Sequence, residues 1–259
     1  MNNIILQTKN LSIGYTSKKE ILTIASDINI SLLKGKLITL IGGNGIGKST
    51  LLRTITAIQI PISGEVTLNN KDIFSIENSV LAQQQSLVLT DKLPSSNLTV
   101  WELIALGRQP YTNWIGTLSD EDYLKIKTAI QLTNIEHLTE KKHFEISDGQ
   151  LQKVLIARAL AQDTDLIILD EPTTHLDLFH KVSVFKLLQK LAHETEKCIL
   201  FSTHDIDLAI QLSDEMIVMT KEKTVQDQPC NLIEKGIFDT LFKDEHIAFD
   251  KIHGKFIVQ

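Results

Sequence analysis

The sequence predicts an α/β fold: a mixed central sheet with flanking helices, led in by an antiparallel β segment and interrupted by a helical subdomain insert. Three observations carry that expectation. The apolar run Leu37-Ile38-Thr39-Leu40-Ile41 enters the glycine-rich stretch Gly42 to Ser49, and Leu51, Leu52, Ile55 and Ile58 follow at helical spacing, so this region reads as strand, loop, helix. Two later apolar runs, Leu166-Ile167-Ile168-Leu169 and Cys198-Ile199-Leu200-Phe201, close on polar or acidic residues, as central parallel strands do at the edge where open α/β sheets bind ligands. Between about 91 and 146, Trp101, Leu103, Ile104, Leu106, Tyr123, Leu124, Ile126, Ile130 and Leu132 recur at helical spacing with few strand-like runs.

The stretch Gly42-Gly43-Asn44-Gly45-Ile46-Gly47-Lys48-Ser49 fits G-x-x-x-x-G-K-[ST], a phosphate-wrapping loop. Its glycines let successive backbone N–H groups turn inward, making a nest for a β-phosphate, and the following helix aims its positive end at the same anion. Lys48 would reach the β- and γ-phosphates, Ser49 would give its hydroxyl to Mg²⁺, and Thr50 would meet the α-phosphate.

In chain order, residues 4–41 read as short strands, Ile4 to Leu6, Leu11 to Tyr15, Ala25 to Leu33 and the strand entering the loop, with Lys34-Gly35-Lys36 as a turn. On pattern alone Tyr15 is a half-exposed packing residue ending a strand, although an aromatic placed before a nucleotide loop could also stack on adenine. A helix over 48–58 and a strand from Glu65 end in the turn Asn69-Asn70-Lys71-Asp72. A helical turn near 73–76 then leads to a short strand, Ser79-Val80-Leu81-Ala82, that would deliver Gln83-Gln84-Gln85 at its carboxyl end, although the pattern alone also reads as a polar loop. Pro94 and Pro110 bracket the first helix of the insert, and Ser119 caps a second that opens on Asp120-Glu121-Asp122.

Ile146-Ser147-Asp148-Gly149-Gln150 starts an amphipathic helix with Ser147 or Asp148 as N-cap; the pattern leaves open a plain capped helix or an anion site. After the strand at 166–169, Asp170 is placed to hold Mg²⁺ and Glu171 to orient or deprotonate an attacking water. His204, after the strand from Cys198 and before a helix at 206–212, is aimed at the same edge and could donate to a γ-phosphate oxygen. From 214 to 259, short strands alternate with the segments Leu232-Ile233 and Leu241-Phe242, and no chemistry is evident.

The 259 residues, 42% hydrophobic and 22% charged, suffice for one large core or a core plus a small subdomain. A net charge of −6 argues against a general nucleic-acid or anionic-membrane binder. Cys198 and Cys230 form no disulfide framework, which suits a reducing compartment. The start Met1-Asn2-Asn3-Ile4 lacks a positive n-region and no stretch has the length of a membrane span, so the chain is expected to stay in the cytoplasm and to serve any transport through a separate membrane partner.

Taken together, these residues resemble the ATP-binding subunit of ABC transporters over residues 4–225. The resemblance implies a P-loop NTPase core in a single ABC ATPase domain, with 1–90 and 155–259 as nucleotide-binding core and 91–154 as helical subdomain. It makes 42–49 the Walker A loop, 166–171 the Walker B strand with Glu171 as catalytic carboxylate, and His204 the switch histidine. Ile146 to Gln150 becomes the signature, with Asp148 where most members carry glycine, and Leu176-Asp177 the D-loop. Tyr15 becomes the adenine-stacking aromatic, and Gln83, with Gln84 as the neighbouring choice, the Q-loop glutamine on Mg²⁺. Catalytic residues are then Lys48, Glu171 and His204; nucleotide contacts add Tyr15, Gly42 to Thr50, Gln83, Ser147, Gly149, Gln150 and Asp177; Ser49, Gln83 and Asp170 hold the metal.

Such subunits pair head to tail, so a homodimer with ATP and Mg²⁺ between signature and Walker loop is implied. So are integral-membrane permease subunits, a substrate-binding protein in the same system, and a place on the cytoplasmic face of the membrane. Thr99-Val100-Trp101-Glu102-Leu103 followed by Leu106-Gly107-Arg108-Gln109-Pro110-Tyr111 is similar to the ATPases of iron-siderophore, haem and cobalamin importers. A soluble ABC-type ATPase and a nucleotide-binding regulator are the alternatives.

Overall fold

A computed structural model describes residues 3–17, 20–89, 96–241, 247–251 and 253–258; Pro94 and Phe242, singled out above, lie outside the described residues. The chain runs through β1 (Ile4–Thr16), β2 (Ile21–Ile28), β3 (Ser31–Leu33) and β4 (Leu37–Gly42) into α1 (Lys48–Ile55), then β5 (Ser63–Leu68), β6 (Lys71–Asp72), α2 (Asn78–Leu81) and β7 (Gln85–Val88). The insert holds α3 (Val100–Ala105) and α4 (Asp120–Thr133) and leads to α5 (Asp148–Ala161). Then come β8 (Leu166–Leu169), α6 (Leu178–Thr195), β9 (Cys198–Ser202), α7 (Ile206–Leu212), β10 (Glu215–Met219), β11 (Thr224–Asp227), α8 (Pro229–Glu234) and the hairpin of β12 (Ile247–Asp250) and β13 (Lys255–Val258).

The central sheet has the order β11-β10-β4-β9-β8-β7, with β10, β4, β9, β8 and β7 parallel and β11 antiparallel at the edge. Side chains alternate between two buried faces, which is why these strands read as unbroken apolar runs. Ile38, Leu40, Ile168, Leu200 and Ile217 join α1 and the antiparallel sheet β2-β1-β5-β6, while Leu37, Ile41, Leu169, Phe201 and Val218 join the helices. β1 is one strand where two were expected; its polar middle is absorbed by register shifts near Asn10, whose φ is 48°.

The strand expected at 79–82 is instead the helix α2, and the strand falls three residues after it, at Gln85. The expected subdomain boundary at 154/155 lies inside α5, which runs unbroken from Asp148 to Ala161. Ser119 caps α4 as expected, in a reciprocal box with Asp122.

The Leu106–Tyr111 segment is used internally. A Cβ on Gly107 would lie 2.2 Å from the Arg158 carbonyl oxygen of α5, so only glycine permits that approach. Arg108, buried, donates from Nε to Asp122 Oδ1 at 2.7 Å and from Nη1 to the Ala161 carbonyl at 2.8 Å, and stacks over Tyr111 with Cζ 3.9 Å from the ring centroid. One side chain thus ties the 3₁₀ turn, α4 and the end of α5. Burial alone would raise the Asp122 pKa, but hydrogen bonds from Ser119 and Arg108 outweigh it and hold the carboxyl below its ordinary value. Its stabilisation is therefore present above the unfolded-state carboxyl pKa and lost as pH falls through the depressed folded value. Arg108→Ala, which strands that buried carboxylate, is expected to lower the urea-unfolding free energy by about 3 kcal/mol.

Candidate active site

Strand register brings the functional residues to one edge. Leu40 pairs with Ser202 and Leu169 with Phe201, so β4, β9 and β8 end together. The glycine-rich loop, Asp170-Glu171, and Thr203-His204 therefore emerge side by side. A cavity of about 130 Å³ lined by Gly42, Gly43, Asn44, Thr203, His204 and Ile206 joins the loop to the histidine.

Within the loop, Gly47 has φ 111° as N-cap of α1, and a Cβ there would lie 2.6 Å from Ile24 Cγ2. Gly45 also takes the left-handed region, with φ 71°, and Asn44 is exposed beside it. Lys48 is buried, and its Nζ donates to the carbonyls of Gly42 at 3.0 Å and Gly43 at 3.4 Å. Burial pulls its pKa down, opposed by the negative charges of Glu171 and Asp170. The ammonium is thus curled under the loop it is expected to serve. Ser49 is exposed on the first turn of α1, and Thr50 Oγ1 lies 3.3 Å from the hydroxyl of Tyr15, a residue 49% exposed. Tyr15 therefore stands beside the loop, half-exposed.

The acids are held as a unit. Ser202 Oγ donates to Asp170 Oδ1 at 2.6 Å and accepts from the Glu171 backbone N–H at 2.8 Å. Glu171, at φ 47°, has its two carboxylate oxygens separately engaged: Oε1 by His204 Nε2 at 2.8 Å and Oε2 by the Thr174 hydroxyl at 3.1 Å. A non-glycine residue in the left-handed region is strained, and such strain collects at functional sites. Next to His204, Asp205 accepts from Thr173 Oγ1 at 2.9 Å and pairs with Lys181 at 2.6 Å, anchoring the loop to α6. Ser202 and Asp205 escaped the sequence reading, since neither has a partner within a motif; a hydroxyl closing an otherwise apolar run was the available signal.

Gln83 is not at this edge. It precedes β7, and because Gln85 pairs with Leu166 at the amino end of β8, Gln83 and Gln84 lie at the opposite end of the sheet from Asp170. Gln83 Nε2 donates to the Pro110 carbonyl at 3.0 Å and Gln84 Oε1 accepts from Asn69. Gln83 is thus corrected as a metal or nucleotide contact, and the sequence after β7, Leu89 to Leu98, holds no glutamine to replace it.

Ser147, Gly149 and Gln150 begin α5, with Ser147 N-cap and Gln150 bonded reciprocally. α5 packs on α3, α4 and β7, and β7 is three strand spacings, about 14 Å, from β4. Asp177 caps α6, accepting from the His180 backbone N–H at 2.8 Å.

A profile of the family described as ABC transporter matches residues 25–174. The iron(3+)-hydroxamate import ATP-binding protein FhuC of Bacillus subtilis is 40% identical over 222 residues, 86% of this chain and 81% of that protein. The chain belongs to the ABC transporter family. This ABC ATPase also superposes with a TM-score of 0.80 and 28% identity on a structure described as an inward-facing conformation of a metal-chelate type ABC transporter, covering 98% of this chain and 96% of that one. A dimeric ATP-binding cassette in a post-hydrolysis state bound to ADP and Pi gives a TM-score of 0.73 at 26% identity, covering 87% and 99%. The chain is accordingly an ATP-hydrolysing enzyme with an ABC-type P-loop fold.

Ser202→Ala removes the hydroxyl that joins the two acids of this ABC ATPase. It is expected to lower kcat about tenfold while the KM for MgATP changes by less than about threefold, as for loss of an orienting hydrogen bond rather than a binding contact.

Proposed function

We propose that this chain energises uptake of a metal chelate, an iron-siderophore, haem or cobalamin. It would do so as a homodimer on the cytoplasmic face of the membrane, beneath permease subunits served by a substrate-binding protein. The observation that carries the ATPase half is the meeting of Lys48, Asp170, Glu171 and His204 at one sheet edge. The chelate half is supported by the likeness to FhuC and to the metal-chelate type transporter. Among the described residues no helix is long and apolar enough to cross a membrane, so the passage itself is assigned to the permease.

The donor set fits a magnesium nucleotide. Among the described residues no cluster of three or more His, Cys, Asp or Glu could hold a metal. Mg²⁺ characteristically takes one or two protein ligands plus phosphates and waters, and Ser49 and Asp170 are a set of that kind. When bound, Mg²⁺ neutralises charge on the β- and γ-phosphate oxygens. The loop amides and Lys48 bind those phosphates, and Lys48 exchanges its carbonyl partners for them. Tyr15 offers its ring to the base. Glu171, held at Oε2 by the Thr174 hydroxyl, orients the attacking water and takes its proton at Oε1, while His204 exchanges Oε1 of Glu171 for a γ-phosphate oxygen.

Ser147 and the positive end of α5 complete the site of the partner subunit, with Gly149 and Gln150 shaping that turn and Asp177 beside it. Asp148, exposed on the first turn, complements its own helix end but adds negative charge where the partner's phosphate would approach. Asp148→Gly is therefore expected to raise kcat about twofold or more in a phosphate-release assay.

Lys48→Ala should weaken MgATP binding at least about tenfold by calorimetric titration, the loss of a charge-assisted contact. Glu171→Gln should bind MgATP as the parent does, hydrolyse it at least about a hundredfold more slowly, and elute as an ATP-dependent dimer. Parent-rate hydrolysis by Glu171→Gln would remove the carboxylate from its role. Capture of the tagged chain from detergent-solubilised membranes should bring down a permease; its absence under conditions that preserve the ATP-bound dimer would count against the importer assignment.

A further inference from the structure

Gly149 is buried although its neighbours Ser147 and Asp148 are exposed, and what covers it comes from another helix. A Cβ at Gly149 would lie 2.5 Å from His180 Cδ2, 3.1 Å from Cγ and 3.2 Å from Nε2, so the imidazole lies directly on the first turn of α5. The ring is oriented by Asp177. His180 Nδ1 is 2.9 Å from Asp177 Oδ1, and the His180 backbone N–H donates to the same oxygen at 2.8 Å. The Phe179 ring stands edge-on to it at 5.6 Å. Asp177, as N-cap of α6, is in turn fixed by that helix. The D-loop and the signature turn of one subunit are thereby brought together through one side chain, hydrogen-bonded to Asp177 at Nδ1 and packed by its other edge on Gly149.

The geometry points to His180 as a positioning residue that sets the signature turn against the D-loop, so that Ser147 and the end of α5 meet the partner's nucleotide in register with Asp177. This rests on the proposed head-to-tail reading, in which both elements serve the opposite nucleotide. His180 itself touches no nucleotide. Its effect falls on the chemical step, because a displacement of the α5 end of about 1 Å is enough to cost tenfold or more in rate. It also accounts for glycine at 149, where a Cβ would meet the imidazole that Asp177 orients.

The test is a double-mutant cycle with Gly149→Ala, His180→Ala and both, with Ser147→Ala in parallel, on the full chain. Measurements are kcat and KM for MgATP, calorimetric MgATP affinity, and melting temperature. His180→Ala is expected to lower kcat about tenfold with KM and melting temperature near those of the parent, a split that a merely structural residue would not give. The kcat penalty of Gly149→Ala should shrink at least about threefold in the His180→Ala background, since the methyl then has room. Equal penalties in both backgrounds, or a kcat for His180→Ala within about twofold of the parent, overturn the positioning role.

If His180→Ala loses its melting transition, His180→Asn, which keeps a donor for Asp177 without the ring, takes its place under the same criteria. A kcat loss with Ser147→Ala but not at 180 overturns the role of His180 alone. No loss at either position overturns it together with the head-to-tail reading.

Discussion

Parallel hydrogen bonding among β4, β9, β8 and β7 fixes where each strand stops, and the site follows from that. With Leu40 opposite Ser202 and Leu169 opposite Phe201, the residues leaving β4, β8 and β9 have no choice but to crowd one edge. A slip of one residue in any pair would turn its side chains to the wrong face, and both faces are apolar and filled, so the register is strongly enforced. Packing far from the chemistry thus holds the chemistry in place.

At that edge, charge is balanced locally before any substrate arrives. Lys48 is buried under its loop with Asp170 and Glu171 as the nearby negative charges, and its desolvation is partly offset by them. Ser202 binds one acid and the backbone of the other, while Thr174 and His204 occupy the two oxygens of Glu171. A nucleotide therefore meets an organised set of groups rather than a floppy one, which limits the reorganisation left for the transition state.

The parts of this arrangement that were legible in the sequence share one property: the signal is local. The loop, the acids after an unbroken apolar strand, the histidine after another, and the caps Ser119 and Ser147 all depend on neighbours within a few residues. β7 was misplaced because its first two residues, Gln85 and Ser86, are polar yet buried, with Gln85 Nε2 donating to the Thr56 carbonyl, whereas Val80-Leu81-Ala82 looks like a strand and is a helical turn. That error carried Gln83 to the wrong end of the sheet. Arg108 was legible as part of a motif, but its engagement with Asp122, Ala161 and Tyr111 depends on chain crossings that no spacing reveals. The contact of His180 with Gly149 was invisible for the same reason.

The claim underlying all of this is that Lys48, Asp170, Glu171 and His204 surround one magnesium nucleotide. A crystal structure with Mg²⁺ and a non-hydrolysable ATP analogue tests it most directly. The account predicts the phosphates wrapped by Gly42 to Thr50, with Asp170, Glu171 and His204 grouped about the terminal phosphate. A nucleotide bound elsewhere, or one whose terminal phosphate points away from those three side chains, would contradict it.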